Sequence, residues 1–186
     1  MTSIVESVRA EFLRYKAMAD KAMSQLSEAE LTAPAADGDN SIPMICWHVS
    51  GNLKSRFTDF LTSDGEKPWR NRDEEFEPRA VSRSELLAKW NQGWDALQGA
   101  LSSLTDRDLE RTVTIRNQPL QVSEALHRSL AHAAYHVGQI VYLAKSRRGA
   151  SWTSLSIPRG QSDAYNRAAV NETAAAHTRK LTSSAG

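Results

Sequence analysis

The chain of 186 residues is long enough for one domain with a substantial core and makes no strong case for two. Hydrophobic residues make up 40%, charged residues 24%, and the formal net charge is +1; nucleic acid as the main partner would call for a basic face. Cys46 is the only cysteine, which rules out an internal disulfide and a cysteine-built zinc framework.

The opening stretch, MTSIVESVRAEFLRYK, carries acids and no continuous apolar run, so it reads as neither a signal peptide nor a membrane span. With a free thiol that fits a reducing compartment, a cytoplasmic location without a membrane partner is expected. Val5, Val8, Phe12, Tyr15, Ala19, Ala22 and Leu26 form one stripe of a first helix, from Ser3 to Leu26. Ser27 and Glu30 make a capping box for a short helical turn, and APAADGDN is a loop.

A second helix opens at Ser41 as N-cap, with Pro43 tolerated in its first turn. Its stripe is Ile42, Cys46, Val49, Leu53, Phe57 and Phe60, which makes Cys46 a small core residue rather than a nucleophile. TSDGEKPWRNRDEEFEP is a long connection where a site-lining or partner-contacting segment is expected. Trp69 within it is a candidate for the mouth of a pocket, whereas Trp47, Trp90, Trp94 and Trp152 are assigned to packing or a dimer face.

The third helix starts near Ser82, capped with Glu85, and carries Leu86, Leu87, Trp90, Trp94, Leu97 and Leu101. Period two then appears at Val113 and Ile115, and a turn over Asn117 to Pro119 completes a small hairpin. The fourth helix runs from Ser123 to Arg147 and ends at Gly149, with Lys145, Arg147 and Arg148 complementing its dipole. SWTSLSIPRGQSDAYN reads as an irregular arm. The fold class is therefore all-α: a four-helix bundle with a long second connection, a hairpin before the last helix and a C-terminal arm.

HAAYHVGQIVYLAK, residues 132 to 145, raises the functional question. His132 and His136 lie four apart, one above the other, on the edge of a stripe formed by Leu126, Leu130, Ala133, Val137, Ile140 and Ala144. His127 falls on the opposite edge. On the second helix His48 sits about 100° from the stripe centre in the same rotational sense, in line with Asn52, Ser55 and Asp59. The spacing leaves two readings open: a metal-binding pair awaiting His48, or core histidines held by hydrogen bonds.

The phrases WHVSGNLKSRFTDFLTSDGEKPWRNRDEEFE (47 to 77), HRSLAHAAYHVGQIVYLAK (127 to 145) and SLSIPRGQS (154 to 162) resemble the DinB/YfiT-like superfamily of metalloproteins, in a bacterial branch of unknown function. The resemblance extends from the first helix to about Asn166, giving one domain over 1–166 and a flexible tail over 167–186. It implies a metal on His48, His132 and His136. Three imidazoles leave a divalent transition metal an open position, with zinc or nickel the first choice.

Relatives in that superfamily imply activation of a low-molecular-weight thiol, or of water, for transfer to or hydrolysis of a small molecule, in a homodimer. The alternatives are a non-catalytic metal-binding or stress-response module, and a bundle whose histidines only hydrogen-bond. Asn52 is a candidate for orienting water or substrate, Arg56 for an anionic substrate or an internal salt bridge, and Gln139 for holding His136 or for contact with solvent. Asp59 is read as a cap or surface residue.

Overall fold

The computed structural model describes residues 3–36 and 38–168. Most of the described chain is helical, in six helices joined by 3-10 turns and one two-stranded hairpin. Helix α1 spans Ile4–Ser24 and α2 Glu28–Leu31; each starts with a serine that accepts from the backbone three residues on while a glutamate reaches back, Ser3 with Glu6 and Ser27 with Glu30. These reciprocal bonds satisfy amides that the first helical turn leaves without partners. Helix α3 spans Ile42–Phe57, capped by Ser41 with Pro43 in its first turn, and α4 spans Arg83–Ser103 behind a Ser82–Glu85 box.

Helix α3 ends before Phe60, yet the turn that follows still delivers Phe60 to the core. Strands β1 (Thr112–Ile115) and β2 (Gln118–Gln121) pair antiparallel, with Thr114 opposite Pro119 and Ile115 opposite Gln118. The turn is therefore Arg116–Asn117, at φ 55° and 59°, rather than Asn117 to Pro119. Both residues are left-handed, as a type I′ hairpin turn requires, and Pro119 has moved into a strand that is an edge by construction.

Helix α5 spans Val122–Arg148; its box is Gln121 with Glu124, one register earlier than Ser123 would give, and it stops at Gly149 with φ 52°. The arm is not irregular to its end, because Ser162–Ala168 forms α6. That helix has no buried residue, so no apolar stripe marks it in the sequence. Of the expected tail, Arg167 and Ala168 close α6 and the remainder lies outside the described residues.

Helix α3 packs along α4 and α1 along α5, with further contacts between α3 and α5 and between α1 and α4. Trp90, Trp94, Phe12 and Leu53 are fully buried between them, and Phe12 meets Phe57 and Trp94 edge-on at 6.4 Å each. The expected stripes are the observed core faces. Trp90 Nε1–H donates to Asp20 at 2.8 Å, which pays the polar cost of burying the indole.

One close approach fixes α3 against α4. A Cβ on Gly93 would sit 2.5 Å from Ser50 Cα and 2.8 Å from Ser50 O, and the Ser50 hydroxyl donates to Lys89 O at 2.5 Å. Gly93→Ala should therefore cost about 1–3 kcal/mol, the usual range for overpacking, because backbone cannot rotate away. Chemical denaturation measures it, and a loss near zero would mean that the helices slide freely. Among the described residues no helix is long and apolar enough to cross a membrane.

Candidate metal centre

Seven residues after Ser41 opens α3, His48 emerges facing α5, where His132 and His136 stack one turn apart. Their ring centroids lie 5.1 Å (His48 to His132), 4.8 Å (His48 to His136) and 4.6 Å (His132 to His136) apart. One ring nitrogen from each falls within 4.8 Å of the others, so the three could hold a metal ion. His48 and His136 are buried and His132 is half-buried.

Hydrogen bonds decide which nitrogens are free. His48 Nδ1 lies 2.9 Å from Glu75 Oε2, and His136 Nδ1 lies 2.8 Å from Gln139 Oε1. A carboxylate oxygen only accepts, so His48 carries its proton on Nδ1 and presents a bare Nε2. The amide oxygen of Gln139 does the same for His136. His48 Nε2 faces His132 Nε2 at 3.1 Å, close to the ~3.3 Å that separates two imidazole nitrogens on a tetrahedral zinc. His132 Nδ1 is buried without a hydrogen-bond partner.

Burial, then the neighbouring His136 and His48, then Arg70 and Arg56, hold the His132 imidazolium so unfavourable that its pKa falls to about 3. For His136 burial is again the main depressing cause, partly opposed by its bond to Gln139. Both rings are thus neutral near pH 7, the state that binds metal. An unfolded histidine titrates near 6.5, so between about 6.5 and about 3 the unfolded chain binds a proton that folded His132 refuses. Metal-free protein should lose stability as pH falls through that window, more steeply than a His132→Ala variant. Parallel slopes from denaturation at stepped pH would contradict this.

Glu75, which the sequence did not single out, organises the first imidazole. It sits in a 3-10 turn, Asp73–Phe76, that the long connection lays against α3. Arg70 grips it in a fork, Nε to Oε1 and Nη2 to Oε2 at 2.8 Å each, and the Arg70 side chain is only 2% exposed. Burial works to raise the Glu75 pKa, but the bonds from Arg70 and His48 outweigh it and keep the carboxyl ionised. A Cβ on Gly51 would run into the Glu75 carboxylate, so the glycine leaves its seat open. Phe76 covers the other face of His48, with ring centroids 4.6 Å apart.

Asn52 and Arg56 do line a cleft of about 180 Å³ beside His48 and His132, while Gln139 is spent on His136. Arg56 also donates to Gly65 O and to Glu66, so the anticipated internal salt bridge exists within the cleft wall. Asp59 is exposed at φ 48°, its carbonyl accepting from Thr62 and Ser63. Trp69 is 52% exposed and is not part of the cleft wall; the Lys54 Nζ stands over its ring, 5.5 Å from the centroid. His127 is exposed and stands apart from the cluster. Cys46 is fully buried, and burial raises its thiol pKa beyond any role as a thiolate nucleophile.

Residues 1–161 match a family described as a protein of unknown function, DUF1572. No curated protein matches the chain. A solved structure of a conserved protein from Enterococcus faecalis is similar at a TM-score of 0.58 and 16% identity, over 80% of this chain and 99% of that one. At that identity the likeness speaks for the fold alone.

Proposed function

This chain belongs to the DUF1572 family, and from that premise we propose that it is a metal-dependent enzyme of the DinB/YfiT-like type, acting on a small molecule. The four long helices α1, α3, α4 and α5 are read as the family's bundle, with α3 and α5 carrying its ligands. The observation that carries the reading is the convergence of three imidazoles, two of them with Nδ1 already engaged and Nε2 turned inward. Through hydrogen bonds His132 Nε2–H can serve one bare neighbouring nitrogen at a time; a cation would engage a nitrogen of all three rings at once.

His48, His132 and His136 are the proposed ligands, and zinc or nickel suits an all-imidazole set. With three protein ligands, such an ion supplies a Lewis acid that acidifies a coordinated water or thiol. Glu75 fixes the tautomer and ring orientation of His48, and Gln139 does the same for His136. Asn52, on the cleft wall one turn beyond His48, is placed to orient a substrate carbonyl or water. Thiol transfer and hydrolysis are the proposed reaction types; a low-molecular-weight thiol, a homodimer and a cytoplasmic location complete the reading.

Elemental analysis of protein purified without an affinity tag tests the centre, with about one transition-metal ion per chain expected. Electrophiles screened with candidate thiols then compare wild type with His48→Ala. Equal rates would remove the catalytic reading and leave a metal-binding module. A folded protein that takes up no metal from any divalent salt would remove both.

A further inference from the structure

Beside the imidazoles, the cleft wall draws guanidinium groups from four separate segments. Arg56 comes from α3, Arg70 and Arg72 from the long connection, Arg116 from the hairpin turn and Arg128 from α5. Among the described residues no carboxylate lines it. In a chain whose net charge is only +1, that concentration of one sign is a property of this place rather than of composition.

Some of these groups are structural. Arg70 is consumed by Glu75, and Arg56 by Gly65 O and Glu66. Arg116 spends only Nε, on Glu66 at 2.8 Å, and stays 59% exposed. Arg72 reaches a 95% exposed Asp73 at 3.7 Å. Arg128 has no hydrogen bond or ion pair among the described residues. The same is true of the Asn52 amide and of the hydroxyl of Ser129, a buried residue one turn before His132. A salt-bridge net that merely held the loop would not need an uncommitted arginine on a different helix.

The wall itself is fixed. Asp64 accepts backbone N–H bonds from Glu66 (2.7 Å), Arg116 (2.9 Å) and Asn117 (2.8 Å), and Gly65 N–H donates to Thr114 O at 2.8 Å. The hairpin turn is thereby tied to the connection, and Arg116 is carried to the cleft on a short rigid turn rather than a free loop.

We infer that this cleft is an oxyanion subsite: it takes the carboxylate or phosphate end of a small acidic molecule, with Arg116 and Arg128 as its principal donors. That the reacting part of the same molecule faces the three histidines rests on the metal-centre reading above; the anion subsite does not. Planar guanidinium forks match both oxyanions, and the donors that Arg116, Arg128, Asn52 and Ser129 leave unused supply the complement.

Calorimetric titration of inorganic phosphate and of malonate, into metal-loaded and metal-stripped protein, tests the subsite. Saturable one-site binding of at least one anion is expected, weakened about tenfold or more by Arg116→Gln and by Arg128→Gln, with metal content unchanged in both. Both side chains are exposed, so the substitutions leave the fold intact. Binding of phosphate alone or malonate alone assigns the oxyanion, and binding of both assigns the charge. Absence of saturable binding by either, or binding indifferent to both substitutions, overturns the subsite. Anion binding by a protein that takes up no metal upholds the subsite and removes the metal centre; stoichiometric metal without anion binding does the reverse.

Discussion

Replacing His132 with alanine should empty the centre of metal while leaving the helices in place. His132 is the ring that the protein holds least: its Nδ1 is buried without a partner, and its one hydrogen bond is from Nε2 to the Nε2 of His48 at 3.1 Å. In metal-free protein that arrangement is a debt, since a buried polar atom without a partner costs about 1–3 kcal/mol. Removing the ring deletes packing but also that penalty, so the metal-free variant should lie within about 1 kcal/mol of metal-free wild type. Metal affinity should fall by more than the ~10–100-fold that an orienting partner is worth, because a ligand is gone. Elemental analysis after desalting reads the first effect, and denaturation with and without chelator reads the second. At a free metal concentration of 100 Kd the wild type should gain about 2.7 kcal/mol that the variant lacks. Full metal content in the variant would mean that His132 is not a ligand.

The faces of the three histidines were legible because helical geometry is regular, while their union in one site was what the family resemblance implied. Once Ser41 and the stripe of α3 set its phase, the face of His48 followed, and the four-residue spacing placed His132 over His136. Glu75 was not legible for the opposite reason. It sits in RNRDEEFE, which has the composition of a solvated charge run, and only the 3-10 turn sends Glu75 inward while Asp73 and Glu74 stay exposed. The signal available was the connection itself, where a tryptophan and two arginines precede an acidic run after a histidine-bearing helix. The arginine cleft escaped similarly, since its five guanidiniums come from four segments and no local window contains them. Only Arg56, on a helix of known phase, could be nominated. The hairpin turn was displaced because Pro119 was read as a turn former, whereas the left-handed pair Arg116–Asn117 makes the tighter connection.

Glu75→Gln should separate two roles that one carboxylate combines. The first is to neutralise Arg70, whose side chain is 2% exposed and whose next carboxylate, Glu66, is 4.0 Å away. Breaking a buried ion pair from one side leaves the other charge uncompensated, and a loss of about 3 kcal/mol is expected, the low end of the usual range because the amide keeps one acceptor. The second role is to hold and polarise His48, and its loss should weaken metal binding about 10–100-fold. The double variant Arg70→Met, Glu75→Gln distinguishes them. With the stranded cation replaced by an apolar side chain of similar length, denaturation should show most of the lost stability restored. Metal affinity, measured by competition with a chelator, should stay low, since His48 still lacks its carboxylate. If affinity recovers together with stability, Glu75 serves the histidines only by keeping the connection folded against α3, and the carboxylate–imidazole pair has no separate part in the chemistry.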